Sequence, residues 1–460
     1  MGEAATQGSR RSSGRRWFAT MREAASAELW PLPILFTIIA VVLGIVLPFI
    51  DRAVDSSLSP VFKSVLFAGG PGSARAVLSV VAGSLITATS LTFSLTVIAL
   101  QLASSQASPR VLRTFLKNRT VQWTLAVFVG TFAYALTVLR TIEDGSVSVD
   151  PIVPRFAVTL ASLLTLASVV MLVLFLAHLA RQLRIETTMR QVFVETTSTI
   201  RFVESTMETG QIELPDWPPT NRIELSLATR SGFIHSIDRS RLLTVAIEYD
   251  LVVSEVQTIG DHVVNGTPVI RWWPRNPLKQ VDDEARESIN PALCQAINLA
   301  YERTASQDIG FGVLQLVDIA AKALSPGIND PTTAVHTVGH LSAILGSIAE
   351  LPVQSAGLTD DDDVVRVIIN PHSFVNLLDI AITQPRRYGA SDTGVVERLF
   401  RLLQEVGYRA QRPEQTEAVL QQIERLDASV AAENYDYVER ERFAKFADAA
   451  RAATSDHRWL

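Results

Sequence analysis

The segment LSPGINDPTTAVHTVGH combines residue types that could hold a small ligand. Asp330 can accept hydrogen bonds from the first free N–H groups of a following helix, and Pro331 has the backbone angle favoured at its first position. Because N–H groups at a helix start attract negative charge, the segment predicts a pocket for a small anionic ligand. We expect further polar residues of this pocket on the preceding helix. The candidates are Arg303, Gln307, Asp308, Gln315, Asp318, Asn329 and Asp330.

The same segment also has a purely structural interpretation. Ser325, Pro326 and Gly327 are typical helix-terminating residues, so the motif is also explained by a tight turn between two helices, which is the interpretation that we favour. His336 and His340 are four residues apart and therefore on one helix face, a spacing that two metal ligands can use. A HExxH motif would have Glu directly after its first His, whereas Thr337 follows His336 here. No cysteine lies nearby in the sequence. We therefore expect a structural pair and no metal.

Other patterns that would indicate catalysis are missing from the sequence. It contains no Walker-type phosphate loop and no GxSxG motif, so it gives no positive support for an enzyme, and we expect no cofactor. The single cysteine, Cys294, excludes an internal disulfide and lies in an apolar stretch, which favours a core position. The acidic run Asp360–Asp363 lacks a flanking ligand pattern, so we expect a solvated loop.

A second group of polar residues interrupts a long apolar segment, SLITATSLTFSLTVIALQLASS. On a helix, hydroxyl and amide side chains fall in one sector about a third of the circumference wide. These residues are Ser84, Thr87, Ser90, Ser94, Gln101 and Ser105. They are candidates for lining a water-filled path, and the alternative is close helix packing through hydroxyl groups. Thr89, Thr92 and Thr96 fall in another sector, where hydroxyls can bond back to carbonyl groups one turn earlier.

Four apolar segments are long enough to cross a membrane. A spanning helix needs about 20 mostly apolar residues. Segments without any Asp, Glu, Lys or Arg occur at about 32–50, 77–102, 121–139 and 156–179. No small-residue cleavage site follows the first of them, which therefore predicts a retained helix instead of a signal peptide.

Positive charge in the short loops predicts the orientation of these helices. The N-terminal tail, 1–30, contains five arginines, and acidic residues follow the third helix. Four basic residues lie between the second and third helices, at what would be an inner mouth: Arg110, Arg113, Lys117 and Arg119. We therefore expect both termini in the cytoplasm.

The membrane half leads to two hypotheses about function. Since no charged residue lies within the four apolar cores, the sequence does not favour a proton-coupled carrier. Four helices would enclose little beyond their own side chains, so a pore requires several copies. The first hypothesis is a homo-oligomeric channel or channel-like pore for small ions or solutes, with a cytoplasmic sensor or vestibule domain. The alternative is a membrane-anchored regulatory or scaffolding protein that binds a ligand or protein partner without transport.

The rest of the chain predicts a cytoplasmic α+β region after the membrane all-α bundle of 31–180. Residues 181–221 read as a helical connector and a Pro-rich hinge. Residues 222–274 contain β-branched alternations such as LLTVAIEYDLVVSEV, which predict a small β-barrel or sandwich. Residues 275–460 have mainly helical spacing, interrupted by one strand-like run, Val364–Asn370.

Charge is distributed unevenly along the chain. The first 180 residues carry 14 Lys and Arg against 8 Asp and Glu, whereas the whole chain has a formal charge of −6. The remainder is therefore acidic. An acidic region is poorly suited to neutralising a phosphate backbone, so we expect the lipid bilayer as a partner and no nucleic acid.

Two stretches resemble one bacterial protein family. They read SLTFSLTVIALQLASSQASPRVLRTFLKNRTVQWTLAVFVGTFAYAL from Ser90 and RTASQDIGFGVLQLVDIAAKALSPGINDPTTAV from Arg303. Both are similar to the family catalogued as domain of unknown function 2254, and the resemblance extends from Leu32 to about Leu403. It implies a multi-pass protein of the bacterial inner membrane. It implies no particular activity, substrate or catalytic residue.

Overall fold

The computed structural model divides the chain into two compact units. It describes residues 30–54, 66–106, 119–142, 153–182, 184–206, 218, 222–276, 278, 281–305, 307–351 and 357–459. The first unit is Met1–Thr187 and the second is Thr188–Leu460.

The first unit contains the four apolar helices that the sequence predicts. They are α1 (Pro31–Val54), α2 (Pro71–Gln106), α3 (Arg119–Leu139) and α4 (Arg155–Gln182). Each is long and apolar enough to cross a membrane, which confirms the prediction of four candidate spans.

Helix α3 lies at the centre of this unit and packs against the other three. Its apolar window is 61% buried within the chain, compared with 17% for α1 and for α4. The shared core includes Phe128 and Tyr134 of α3, Leu78 of α2 and Val158 of α4. Side chains therefore fill the space between the helices.

Side chains at the helix ends connect neighbouring helices. Asp51, at the end of α1, accepts hydrogen bonds from the backbone N–H groups of Phe156 (2.9 Å) and Ala157 (3.2 Å) in the first turn of α4. Arg75, near the start of α2, donates to the carbonyl oxygen of Ile142 just after α3 (3.0 Å). These bonds place the end of each odd-numbered helix beside the start of an even-numbered one, as alternating crossings require.

The second unit mixes helices and short strands, as the sequence predicts in outline. Its helices are α5 (Ile185–Thr206, which begins in the first unit), α6 (Arg239–Glu248), α7 (Asp283–Cys294), α8 (Ile309–Ala323), α9 (Pro331–Ala349), α10 (Phe374–Gly389), α11 (Thr393–Arg409), α12 (Pro413–Ala431) and α13 (Tyr437–Asp456). Its strands are β1 (Glu224–Leu227), β2 (Gly232–Ile237), β3 (Leu251–Glu255), β4 (His262–Val263), β5 (Pro268–Pro274), β6 (Ile297–Ala300), β7 (Gly357–Thr359) and β8 (Val365–Ile368). Of the predicted Pro-rich hinge, only Pro218 lies within the described residues.

The strands form two open sheets among the described residues, and the predicted small barrel is not seen. One sheet has the order β1-β5-β3-β8-β7 and the other the order β4-β2-β6. Strands β6, β7 and β8 come from beyond 274, so the predicted boundary between a β region and an α region separates strands that pair. Strand β8 confirms the strand-like run after the acidic residues, and it pairs in parallel with β3.

Helix α6 replaces a strand that the sequence predicts in LLTVAIE. Asp238 caps it by accepting a hydrogen bond from the N–H of Arg241 (3.1 Å). Leu242, Val245 and Ala246 are buried at helical spacing. The capping carboxylate and this spacing outweigh the β-branched composition of the segment.

Helix α5 packs against α8 and α9 within the second unit. Thr199 donates to the carbonyl oxygen of Ala305 (2.7 Å), and the ring of Phe193 packs on His340 at a centroid distance of 5.1 Å. Gly312 of α8 leaves the space that Thr196 of α5 occupies. The DIGFG sequence thus provides a contact site for α5.

Candidate functional site

The predicted polar stripe of α2 faces away from the core of its own unit. Ser84, Thr87, Ser90, Ser94 and Gln101 are all exposed in the isolated chain. The opposite side of α2 is buried against the other helices, through residues that include Ala74, Leu78, Leu85, Thr92 and Ala99. The stripe is therefore available to lipid, water or another chain.

Part of this stripe forms hydrogen bonds within its own helix. Ser84 donates to the carbonyl oxygen of Val81 and Thr87 to that of Gly83, each at 3.1 Å. Ser90, Ser94 and Gln101 have no hydrogen bond to another residue that the structure describes. These three side chains can bind a polar group from outside the chain.

The remaining membrane candidates are only partly described. The side chain of Ser105 and the whole of Arg110, Arg113 and Lys117 lie outside the described residues, whereas Arg119 is the exposed first residue of α3. In the inward sector, Thr89 and Thr96 bond back to carbonyl groups one turn earlier, as predicted. The Thr92 hydroxyl is buried without a hydrogen-bond partner among the described residues.

The segment around Asp330 forms a tight turn between α8 and α9. Asp330 is the N-cap of α9 and accepts from the N–H (3.1 Å) and the hydroxyl (2.6 Å) of Thr333, which confirms the predicted helix start. The Thr333 hydroxyl, followed by its N–H group, lowers the pKa of Asp330. Asn329 adopts a positive φ of 50°, as tight turns require. These contacts explain the turn without a bound ligand.

The two predicted histidines of α9 have different environments. His336 is exposed, whereas His340 is half-buried against Phe193. Burial, followed by the nearby His336, lowers the pKa of His340. Among the described residues, no group of three potential metal ligands comes together.

A buried ionic cluster lies at the other end of α8. Asp308 is the N-cap of this helix and accepts from the N–H of Phe311 (2.9 Å). Its carboxylate pairs with Arg303 through two bonds of 2.8 and 2.9 Å, and His372 Nε2 lies 3.3 Å from Asp308 Oδ1. A side chain at Gly260, whose φ is +92°, would collide with Asp308. The cluster therefore requires glycine at this turn.

The predicted ligand residues fall into separate groups. Arg303, Gln307 and Asp308 lie at the start of α8, whereas Asn329 and Asp330 follow its end, roughly 21 Å away along a 15-residue helix. Gln315, which is buried, and Asp318, which is half-buried, lie between them on the same helix. The structure does not bring the seven residues together in one site.

A cavity of about 830 Å³ lies beside the first group, and Gln307 is the predicted residue that lines it. Its other polar lining residues, which the sequence does not identify, are Ser236, Asp238, Arg239, Ser240, Thr244, Thr258, Asn298, Asn370 and His372. Strands β3 and β8 run parallel, and residues that line or border the cavity follow their carboxyl ends. Ligands in open α/β sheets bind at the carboxyl ends of the strands. The pairing of β3 with β8 joins segments more than 100 residues apart, so no local sequence pattern indicates this cavity.

Cys294 and the acidic run Asp360–Asp363 lie outside the lining of this cavity. Cys294 donates a hydrogen bond to the carbonyl oxygen of Leu227 (3.3 Å), and burial raises the pKa of its thiol. A raised pKa disfavours the reactive thiolate. In the acidic run, Asp360 pairs with Arg366 (2.7 Å) and closes a turn before β8.

Comparisons with known proteins agree with the four apolar helices. The family model described as predicted membrane protein (DUF2254) matches residues 26–405. An uncharacterized protein of Mycobacterium bovis is 34% identical over 401 residues, which is 86% of this chain and 74% of that protein. An uncharacterized protein of Mycobacterium tuberculosis has the same identity and coverage. No solved structure matches the chain. The chain belongs to the DUF2254 family of predicted membrane proteins.

Proposed function

We propose that the chain forms a homo-oligomeric, channel-like pore for small ions or solutes in the bacterial inner membrane. The observation that carries this proposal is the direction of the polar stripe on α2, which points away from the core of its own unit. Hydrocarbon offers no hydrogen-bond partner to Ser90, Ser94 or Gln101. A second copy of the chain, or water held between copies, satisfies these groups.

The filled core of the single chain supports an oligomer. Phe128, Tyr134 and Leu78 occupy the space between the four helices and are buried. A path for ions therefore has to run between chains, with one α2 contributed by each copy. In this arrangement both termini are cytoplasmic, and Arg119 with its basic neighbours in the sequence lies at the inner mouth and attracts anions.

The proposal is tested by ion flux through purified protein in liposomes. Ser94→Leu and Gln101→Leu remove polar groups from the stripe, so both should reduce flux without changing the oligomer. The matched control is Ile86→Leu, because Ile86 is exposed on α2 outside the stripe. A monomer in mild detergent, or flux that is equal in all variants, would contradict the proposal.

The second candidate function is that of a membrane-anchored regulatory protein that binds a small ligand. The specific observation in its favour is the cavity beside Gln307 in the second unit. A ligand that binds only the folded state raises the thermal stability of the protein. Absence of ion flux, together with stabilisation by a small molecule, favours this candidate over the pore.

A further inference from the structure

The cavity beside Gln307 has the composition of a small-molecule site. Its volume of about 830 Å³ lies in the range of ligand pockets, and its walls are largely apolar. The apolar lining includes Phe202, Ile237, Leu243, Ile259, Ile309 and Leu377. A ligand with an apolar or aromatic body fits these walls.

The charged residues that line the cavity are already engaged by the protein. Asp238 caps α6 through the N–H of Arg241. Arg239 forms a two-point ion pair with Glu255 at 2.8 and 3.2 Å, and the Glu255 side chain is 1% exposed. The carboxylate at the start of α6 also offsets the attraction of that helix start for anions. His372, the remaining titratable residue of the lining, lies with its Nε2 3.3 Å from Asp308 Oδ1. Each charged or titratable group of the lining therefore already has a partner within the protein.

Three primary amides line the same cavity, and each is fixed by one of its two polar atoms. Asn298 Nδ2 donates to the hydroxyl of Ser236 (3.0 Å), and Asn370 Nδ2 donates to the carbonyl oxygen of Val256 (3.1 Å). Gln307 Oε1 accepts from the N–H of Ile237 (3.4 Å). The opposite atoms are the carbonyl oxygens of Asn298 and Asn370 and the NH₂ group of Gln307. None of these three atoms bonds to another described residue.

The cavity thus presents two amide carbonyl oxygens and one amide NH₂ group beside apolar walls, with Asn298 at its exposed edge. We propose that it binds an uncharged heterocycle with neighbouring donor and acceptor groups, the class to which nucleobases and nucleosides belong. Amide side chains match the hydrogen-bonding edge of such a ring, and aliphatic walls cover its faces. The cavity has no unpaired cation that could bind a phosphate. A sugar is polar on most of its surface, so it would make few favourable contacts with the apolar wall. This inference deepens the second candidate function and does not depend on the pore.

The experiment measures the melting temperature and the heat of binding of the full-length protein in detergent. The probes are adenosine, guanosine, cytidine and uridine, with inorganic phosphate as the anionic probe. We expect at least one nucleoside to raise the melting temperature, whereas phosphate leaves it unchanged. Gln307→Leu should weaken nucleoside binding about tenfold, because it removes the one amide NH₂ group of the three that no described residue accepts from. The matched control, Gln421→Leu, changes an exposed glutamine of α12 and should bind normally.

A second variant keeps the test valid if Gln307→Leu does not fold. Leu243→Trp adds volume to a half-buried residue of the cavity wall, so it should abolish binding while the protein still unfolds cooperatively. Stabilisation by phosphate alone would overturn the ligand class and leave the second candidate function standing. If no probe binds, or if the variants bind like the natural chain, the inference is overturned. Flux is measured on the same preparation, so the pore proposal succeeds or fails separately.

Discussion

Asp308 combines three interactions in one buried carboxylate. It caps α8, accepts both bonds from Arg303 and lies beside His372. Its side chain is 2% exposed, so removal of a partner cannot be compensated by water.

We therefore predict that Arg303→Ala destabilises the second unit by about 3 to 5 kcal/mol, since it leaves a buried charge unpaired. The control is Arg425→Ala, whose ion pair with Asp379 is about half exposed and should cost about 1 kcal/mol or less. Denaturant unfolding of the full-length chain in detergent measures both. Equal losses in the two variants would show that Asp308 finds another partner.

The sequence predicts only part of this cluster. Arg303 and Asp308 stand five residues apart in a recognisable motif, and the N-cap role of such an Asp follows from local chemistry. His372 and Gly260 reach the cluster from distant segments, and only tertiary pairing brings them there. Residues fixed by local helix chemistry were therefore predictable, and those contributed by the sheet were not.

We predict that His340, at the contact between α5 and α9, makes the free energy of unfolding depend on pH. Burial lowers its pKa below the ordinary value of 6.5, so the unfolded chain binds more protons than the folded chain just below that pH. The free energy of unfolding should fall as the pH drops through about 6.5 and level off below the folded-state pKa. His340→Phe should remove this component.

The measurement is denaturant unfolding of the full-length chain between about pH 8 and pH 5. His457→Asn serves as the control, because His457 is exposed near the C-terminal end. The pH dependence of the control should match that of the natural chain. A difference between His340→Phe and the natural chain that stays constant over this range would contradict the prediction.

At the scale of elements, Gly312 of the DIGFG sequence sets how closely α5 and α8 approach. A Cβ at Gly312 would overlap the hydroxyl of Thr196, a stiff β-branched side chain that cannot rotate freely in a helix. A Cβ at Gly310 would lie 3.3 Å from both Asp308 and His372 of the cluster, which is closer than ordinary van der Waals contact. The helix therefore uses one glycine against α5 and one against the cluster.

We predict that Gly312→Ala lowers the melting temperature, with a loss of about 1 to 3 kcal/mol from overpacking. Thr196→Ala in the same chain should restore part of the loss, because it removes the overlapping hydroxyl. The control is Gly339→Ala in α9, where the nearest foreign atom is 3.7 Å from the new Cβ and alanine favours the helix. If both alanine variants stabilise the protein, the contact between α5 and α8 is looser than described.

Helix and strand types were predicted unevenly along the chain. The four membrane helices follow from length and solvation alone, since hydrocarbon permits only backbone that satisfies its own hydrogen bonds. Helix α6 was mistaken for a strand because its β-branched residues obscured Asp238 as a cap. The barrel was wrong for a related reason, because three of the strands that complete the sheets come from later in the chain.

At the scale of the whole molecule, the polar groups of α2 and the cavity of the second unit belong to two separate units. Each supports its own functional proposal and its own experiment. The polar stripe on α2 could be predicted from the sequence, because helical spacing alone defines it. Its outward direction from the bundle could not, because that depends on how the four helices pack.

The central position of α3 has a consequence for biogenesis. It is the least apolar of the four spans and buries Gln122, Thr124 and Thr131 against its neighbours. A translocon tests each segment by its own transfer free energy, which is strongly favourable for α1 and α4 and weaker for α3. We expect α1 and α4 to partition into lipid unaided. In contrast, α3 should be retained at the insertion machinery until α4, the neighbour that is synthesised after it, emerges from the ribosome.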